Sequence, residues 1–102
     1  MPTTVDYKPF LLQTLRDPAN ASLFINVAIE EALADNDIPL FLHCLRDAVT
    51  AQGGMTKVAR LAGLNREGLY RMLSKAGNPE FRALVRLLDA MGLRISIRPK
   101  AS

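Results

Sequence analysis

The residues best equipped for recognition chemistry lie close together between positions 56 and 75. They supply one amide, one carboxylate and several cationic and hydroxyl groups. Arg and Asn side chains hydrogen-bond base edges in the DNA major groove, while Lys and Thr contact phosphates. The candidate DNA-binding residues are Thr56, Lys57, Asn65, Arg66, Glu67, Tyr70, Arg71 and Lys75.

The segment that must position these side chains, MTKVARLAGLNREGLYRMLS at 55–74, predicts two short helices joined by a sharp turn. Ala59 is a small residue where the helices would touch. Gly63, four residues later, can enter the left-handed region without a Cβ penalty. This is the pattern of a helix-turn-helix. The predicted inner faces carry Val58, Leu61, Leu64, Leu69 and Met72.

Each outer residue of the second helix has more than one possible role. Asn65 is a natural N-cap and can also bond adenine bidentately, and the two roles are compatible. Arg66 and Arg71 can reach guanine or phosphate, or can be ordinary exposed helix residues. Glu67 can complement the helix dipole, hold Arg66 or accept from cytosine. Tyr70 can contact phosphate or a thymine methyl, or can cover the edge of the core.

Gly68 lies inside this short helix, where glycine costs about 1 kcal/mol relative to alanine. We expect the missing side chain to permit close approach to DNA or to a neighbouring helix.

The basic residues are concentrated in the half of the chain that contains this segment. Residues 1–50 hold three basic and seven acidic side chains, a net charge of −4, whereas residues 51–102 hold ten and three, a net charge of +7. Such asymmetry favours a polyanionic partner for the second half. The alternative is an ordinary solvated basic surface. Because the basic half also contains the predicted helix-turn-helix, nucleic acid is the favoured partner.

The sequence offers few candidate catalytic residues. The only histidine, His43, adjoins the only cysteine, Cys44, and neighbouring helix positions face different directions. We therefore expect no catalytic residue, metal or cofactor, although a small hydrolase built on these two residues is a third reading. A single cysteine fits a reducing compartment. The chain has no apolar run long enough to span a membrane and no signal-peptide pattern, so we expect a cytoplasmic protein.

The 102 residues are enough for one domain, which we predict to be all-α with about five helices. We divide it into an N-terminal arm at 1–16, a helical domain at 17–92 and a strand at 93–99. Asp17 or Asn20 caps the first predicted helix, whose apolar side includes Leu23, Val27 and Leu33. Asp37 caps the second, which buries Leu42, Leu45, Ala48 and Val49 and ends at Gly53-Gly54.

A last helix is predicted to follow the helix-turn-helix, with Asn78 as its cap, Pro79 at its start and Gly92 at its end. Arg82 and Arg86 point outward on this helix. Its expected buried stripe is Phe81, Leu84, Val85, Leu88 and Met91.

The tail LRISIRP alternates strictly, with Leu93, Ile95 and Ile97 on one face, and this pattern predicts a strand. Because a lone strand leaves its backbone groups unpaired, we expect it to pair with its copy in a second subunit. Pairing with the TTVDYKP segment at 3–9 is the alternative.

From about residue 15 to Pro99 the chain resembles the probable addiction-module antidote proteins, which belong to the lambda-repressor-like helix-turn-helix class. The most specific pieces are AGLNREGLYRMLS, GNPEF and GLRISIRP. One departure is Asn65, where such proteins often carry Ser, so the base preference can differ.

The resemblance implies an antitoxin that neutralises a small RelE/ParE-like toxin and represses their shared operon. It also implies a homodimer whose C-terminal strands take part in assembly. In such a dimer we expect the two-fold related recognition helices to enter successive major grooves of a palindromic operator. No toxin-binding motif carries over; the first predicted helix and the arm residues Tyr7, Phe10 and Leu11 are our interpretation of that surface. Two alternatives stay open: a module that neutralises a toxin without binding DNA, and a plain transcriptional regulator without a toxin.

Overall fold

The computed structural model describes residues 4–74 and 76–100, with side chains from Tyr7 onward. This part of the chain forms six α-helices and no strand. The helices are α1 Thr4–Thr14, α2 Pro18–Asp35, α3 Ile38–Ala51, α4 Met55–Ala62, α5 Arg66–Met72 and α6 Phe81–Ala90. The all-α prediction is therefore confirmed.

Aspartate caps begin α2 and α3 as predicted. The Asp17 carboxylate accepts a 2.9 Å hydrogen bond from the Ala19 amide, and Asp37 accepts one of 3.2 Å from the Leu40 amide. Asn36 ends α2 in the left-handed conformation, with φ of 52°. The DND sequence at 35–37 thus both stops one helix and starts the next.

The core lies around α3, whose residues Leu42, Leu45, Ala48 and Val49 are all fully buried, as predicted. Two groups of helices surround it. α2 and α1 pack against α3 on one side, and α4 connects it to α5 and α6 on the other. Since α2 is packed mainly on α3, the helix-turn-helix pair stands apart from the two N-terminal helices.

The N-terminal arm contains a helix that the sequence analysis missed. The alternative that TTVDYKP forms a strand is wrong, because residues from Thr4 onward belong to α1. Leu11, Leu12 and Leu15 recur at helical spacing and are buried or half-buried.

The predicted C-terminal strand is absent, since residues 93–100 have no regular secondary structure. A strand requires backbone partners, and the only other extended candidate within the chain has become α1. Of the alternating residues, Leu93 is half-buried, Ile95 is exposed and Ile97 is 94% exposed. The segment lies beside α2, where Ile95 lines a groove with Ser22 and Ile29.

Helix α6 starts later than predicted, and its buried face keeps Leu84, Leu88 and Met91 of the predicted stripe but not Phe81 and Val85. Its N-cap is Glu80 rather than Asn78, and Phe81 is 70% exposed instead of buried. Leu87, which the predicted stripe omitted, is fully buried, and Val85 is exposed. With α6 packed against α4, the buried face runs through Leu84, Leu87, Leu88 and Met91.

Several other apolar residues at helical spacing are exposed. On α2 the buried stripe is made by Ala21, Ile25, Ala28 and Ala32, while Leu23, Val27 and Leu33 are exposed. On α4, Leu61 is 59% exposed although its neighbours Val58 and Ala62 are buried. Periodicity alone does not fix which of two apolar faces packs, and small residues permit the closer approach of α2 to α3.

Candidate nucleic-acid interface

The turn between α4 and α5 has the predicted geometry. Gly63 is left-handed, with φ of 69°, and its amide donates to the Arg60 carbonyl at 3.2 Å. The next amide, that of Leu64, donates to the Ala59 carbonyl at 2.8 Å. Ala59 itself is buried, so the two helices meet across its small side chain. Two short helices joined by a turn at Gly63 therefore occur at the predicted positions.

Asn65 begins α5 as its N-cap. Its Oδ1 accepts hydrogen bonds from the amides of Glu67, at 2.8 Å, and Gly68, at 3.2 Å. A bidentate contact to adenine needs the same oxygen as an acceptor. The cap and the adenine contact therefore compete for one atom, and in this structure the cap holds it.

The outer surface of α5 carries the predicted polar side chains. Leu69 and Met72 face the core, and this places Arg66, Glu67, Tyr70 and Arg71 in solvent. The guanidinium of Arg66 lies over the Tyr70 ring, whereas Arg71, five residues after Arg66, projects from the opposite flank about 140° around the helix. The helix thus presents one cation on each side of its exposed face.

Neither guanidinium is neutralised by a carboxylate of the described residues. Every salt bridge in the described part of the chain involves Asp47, on α3. The predicted support of Arg66 by Glu67 is not formed, and Glu67 instead occupies the first turn of α5, where its charge complements the helix dipole. Both arginines remain available to an anionic or hydrogen-bond-accepting partner.

A cleft of 520 Å³ separates α5 from the segment that leads into α6. Asn65, Gly68 and Arg71 line it on the helix side, and Asn78 and Glu80 line it on the opposite side. No pattern in the sequence predicted this cleft. Its signal was Gly77, whose lack of a side chain lets the loop pack against the end of α5.

The start of α4 presents two further predicted residues, Thr56 and Lys57, both exposed. The N-cap Gly54 has no side chain, so it gives the amides of the first turn no side-chain acceptor. The stem of Lys57 passes over Gly53, where a Cβ would lie only 2.6 Å from its Cδ. The remaining predicted residue, Lys75, lies outside the described residues.

The family described as probable addiction module antidote proteins matches residues 13–99. The chain belongs to this family. It is also 36% identical over 74 residues to a Haemophilus influenzae protein described as uncharacterised. The aligned residues make up 72% of this chain and 75% of that protein. No solved structure matches it. As an antidote protein of an addiction module, it has a toxin as its implied partner.

The surroundings of Cys44 in this antidote protein do not activate its thiol as a nucleophile. Burial raises the pKa of the Cys44 thiol, and the nearby charges of Asp47 and Glu31 raise it further. A thiol that stays protonated at neutral pH is a poor nucleophile. The His43 Nε2 lies 3.7 Å from Asp47 Oδ2, so the imidazole is turned toward a carboxylate. Within the described residues, no three His, Cys, Asp or Glu side chains are grouped to hold a metal ion.

No helix in the described part of the chain is long and apolar enough to cross a bilayer.

Proposed function

We propose that this antidote protein is a sequence-specific DNA-binding repressor, and that it represses the operon that encodes it and its toxin. α5 is the recognition helix, with Arg66, Glu67, Tyr70 and Arg71 directed at base edges. Thr56, Lys57 and Lys75 contact the flanking phosphates, and Asn65 holds the start of the helix. Action on DNA in a bacterial cell places the protein in the cytoplasm.

The observation that carries this proposal is the state of the two arginines on α5. Both are exposed, both lack a carboxylate partner among the described residues, and both lie on a helix fixed by a left-handed turn and an N-cap. They lie in the half of the chain with a net charge of +7. Arginine is the most frequent reader of guanine in the major groove, and a rigid helix is the usual way to present it.

A gel-shift titration of the purified protein on its own promoter tests the proposal. We expect retardation that weakens steeply with added salt, because phosphate contacts release counterions. Random DNA of the same length serves as the control for specificity. Absence of retardation even at low salt would instead support a module that neutralises a toxin without binding DNA.

We further propose that the repressor is a homodimer. Phe81, Val85 and Ile95 are exposed apolar residues that line one groove beside Leu93, and Ile97 extends the apolar surface. Pairing of the tails through Leu93, Ile95 and Ile97 would cover this surface. A two-fold pair places the recognition helices about 34 Å apart, in successive major grooves of a palindromic operator. Sedimentation velocity of an Ile95→Lys/Ile97→Lys variant should give a monomer; an unchanged dimer would exclude this interface.

For the toxin we propose the outer face of α2, formed by Leu23, Val27, Glu30 and Glu31. Leu23 is 66% exposed and Val27 is 52% exposed. Glu30 and Glu31 follow Val27 by three and four residues, so each glutamate lies beside Val27 on the helix surface. DNA is repelled by this acidic face, and a second copy would bring like charges together. The occupant that fits is a protein with basic side chains around an apolar patch.

Co-expression with the product of the adjoining gene tests this surface. Val27→Lys should abolish a complex that the wild-type protein forms on a sizing column. Leu61→Lys, an equally exposed apolar position on α4, is the matched control and should leave the complex intact. If the wild-type protein forms no complex, the plain regulator without a toxin becomes the better reading of the chain.

A further inference from the structure

Gly68 has no role in the fold that would explain the absence of a side chain. It lies in the interior of the seven-residue helix α5, where glycine is less stable than alanine. Its φ is not positive, since the glycines with positive φ are Gly53, Gly54, Gly63 and Gly92. Among the described residues, a Cβ built on Gly68 would meet only the Cβ of Asn65, at 3.8 Å, which is ordinary van der Waals contact. Alanine would therefore fit, and would favour the helix.

Gly77 provides the contrast, because there the fold does exclude a side chain. A Cβ on Gly77 would lie 2.8 Å from the Met72 carbonyl carbon and 2.9 Å from the Arg71 carbonyl oxygen. These are backbone atoms at the end of α5 and cannot move aside cheaply. The packing of the chain thus requires glycine at position 77 but does not require it at position 68.

The position of Gly68 indicates what it serves. It lies three residues from both Asn65 and Arg71, so the three residues form one row along α5, and all three line the cleft. Gly68 lies between the side chains of Asn65 and Arg71. Because it has no side chain, the backbone of α5 is accessible at this point of the surface that carries Arg71. A glycine on a binding surface permits close approach of the backbone to a ligand.

We propose that Gly68 is a specificity-determining residue, at which the backbone of α5 comes so close to a base edge in the major groove that a β-carbon does not fit. This inference rests on the proposed DNA-binding function. The role proposed for Gly68 differs from the roles of the two arginines. The arginines contact bases directly, whereas Gly68 determines how deeply α5 enters the groove. That depth sets whether Arg71, on the same row, reaches the bases.

The test compares Gly68→Ala and Gly68→Ser with the wild-type protein in thermal melting and in gel-shift titrations. Promoter DNA and random DNA of equal length are the two probes. We expect a melting temperature that is unchanged or raised in Gly68→Ala, together with promoter affinity reduced about tenfold or more and reduced further in Gly68→Ser. Affinity for random DNA should stay within about twofold, because phosphate contacts alone supply it.

Thr50→Ala, at an exposed position near the end of α3, is the matched control for a change that raises helix propensity. It should leave both affinities unchanged. Wild-type protein that binds no DNA would remove the proposed function itself. Wild-type binding with equal promoter affinity in Gly68→Ala would overturn this inference alone. A lowered melting temperature in Gly68→Ala, or an equal loss on both DNAs, would also overturn it.

Discussion

The guanidinium carbon of Arg66 lies 5.4 Å from the centre of the Tyr70 ring, one helical turn further along α5. Contact of a cation with an aromatic face is weakly attractive at exposed sites. It restrains a long side chain that would otherwise sample many rotamers, so Arg66 is partly ordered in the free protein. If Arg66 contacts DNA as proposed, less conformational entropy is lost on binding.

Removing Arg66 should therefore affect sequence discrimination more than general affinity. We expect Arg66→Ala to cost about 1–3 kcal/mol in promoter binding and to relax the preference at one base pair. Lys57→Ala, at a predicted phosphate contact, should weaken binding to all sequences about equally. Gel shifts on promoter DNA with single-base changes separate the two. Unaltered discrimination in Arg66→Ala would show that this residue does not read a base.

Loss of the Asn65 cap should destabilise the protein before any DNA is involved. Asn65→Ala leaves the amides of Glu67 and Gly68 without their acceptor and should cost about 0.5–2 kcal/mol in the free energy of unfolding. Asn65→Ser supplies another capping oxygen and should retain most of the stability. Urea denaturation measures both. Equal stability of Asn65→Ala and the wild-type protein would contradict the cap.

Gly77→Ala should be destabilising for a steric reason. Its Cβ would overlap the Met72 carbonyl, and the loop at 76–80 would have to move away from α5. We expect a loss of about 1–3 kcal/mol in the free energy of unfolding, typical of overpacking. Ala76→Ser, at the exposed neighbouring position, is the control and should change little. A stable Gly77→Ala protein would mean that the loop relaxes at no cost.

A salt bridge between Lys8 Nζ and Asp47 Oδ1, 2.5 Å apart, links α1 to α3. Asp47 is buried, whereas Lys8 is 48% exposed, so solvent screens part of the pair. Lys8→Met should cost about 1 kcal/mol, because the carboxylate is left without its main partner. The double variant Lys8→Met/Asp47→Asn should recover much of this loss. A double-mutant cycle by urea denaturation gives the coupling.

The raised pKa of Cys44 predicts a fall in stability at alkaline pH. The thiol ionises more readily in the unfolded chain, near its ordinary value of 9.0, than in the folded protein. The folded state therefore retains the proton, and the free energy of unfolding decreases as the pH rises above 9.0 toward the raised value. Cys44→Ala should lack this component. Urea melts of both proteins at about pH 8 and about pH 10 measure the difference.

Local signals in the sequence predicted the parts of the fold that local chemistry determines. Asp17 and Asp37 as caps, Gly63 as the turn and Ala59 as the contact all depend on nearby backbone geometry. Phe81 and Leu61 were assigned to the interior because each lies on an apolar pattern at helical spacing. Which side of such a helix is covered depends on distant partners, and no neighbouring residue reveals them.

In the candidate interface, too, some features depend on local residues and others on distant partners. The exposure of α5 could be predicted from its own residues, since Leu69 and Met72 fix the buried side. The stacking of Arg66 on Tyr70 depends on rotamers, and the cleft depends on where residues 76–80 pack against α5. Sequence spacing alone determines neither of these features.

The family match begins at residue 13, so almost all of α1 precedes the segment shared with relatives. A member of the family that lacked this helix would leave the carboxylate at the position of Asp47 open to water, where hydration replaces the lysine. In chains that keep the helix, a basic residue at the position of Lys8 and an acidic residue at the position of Asp47 should therefore occur together. In chains without the helix, the residue at the position of Asp47 should be free to vary.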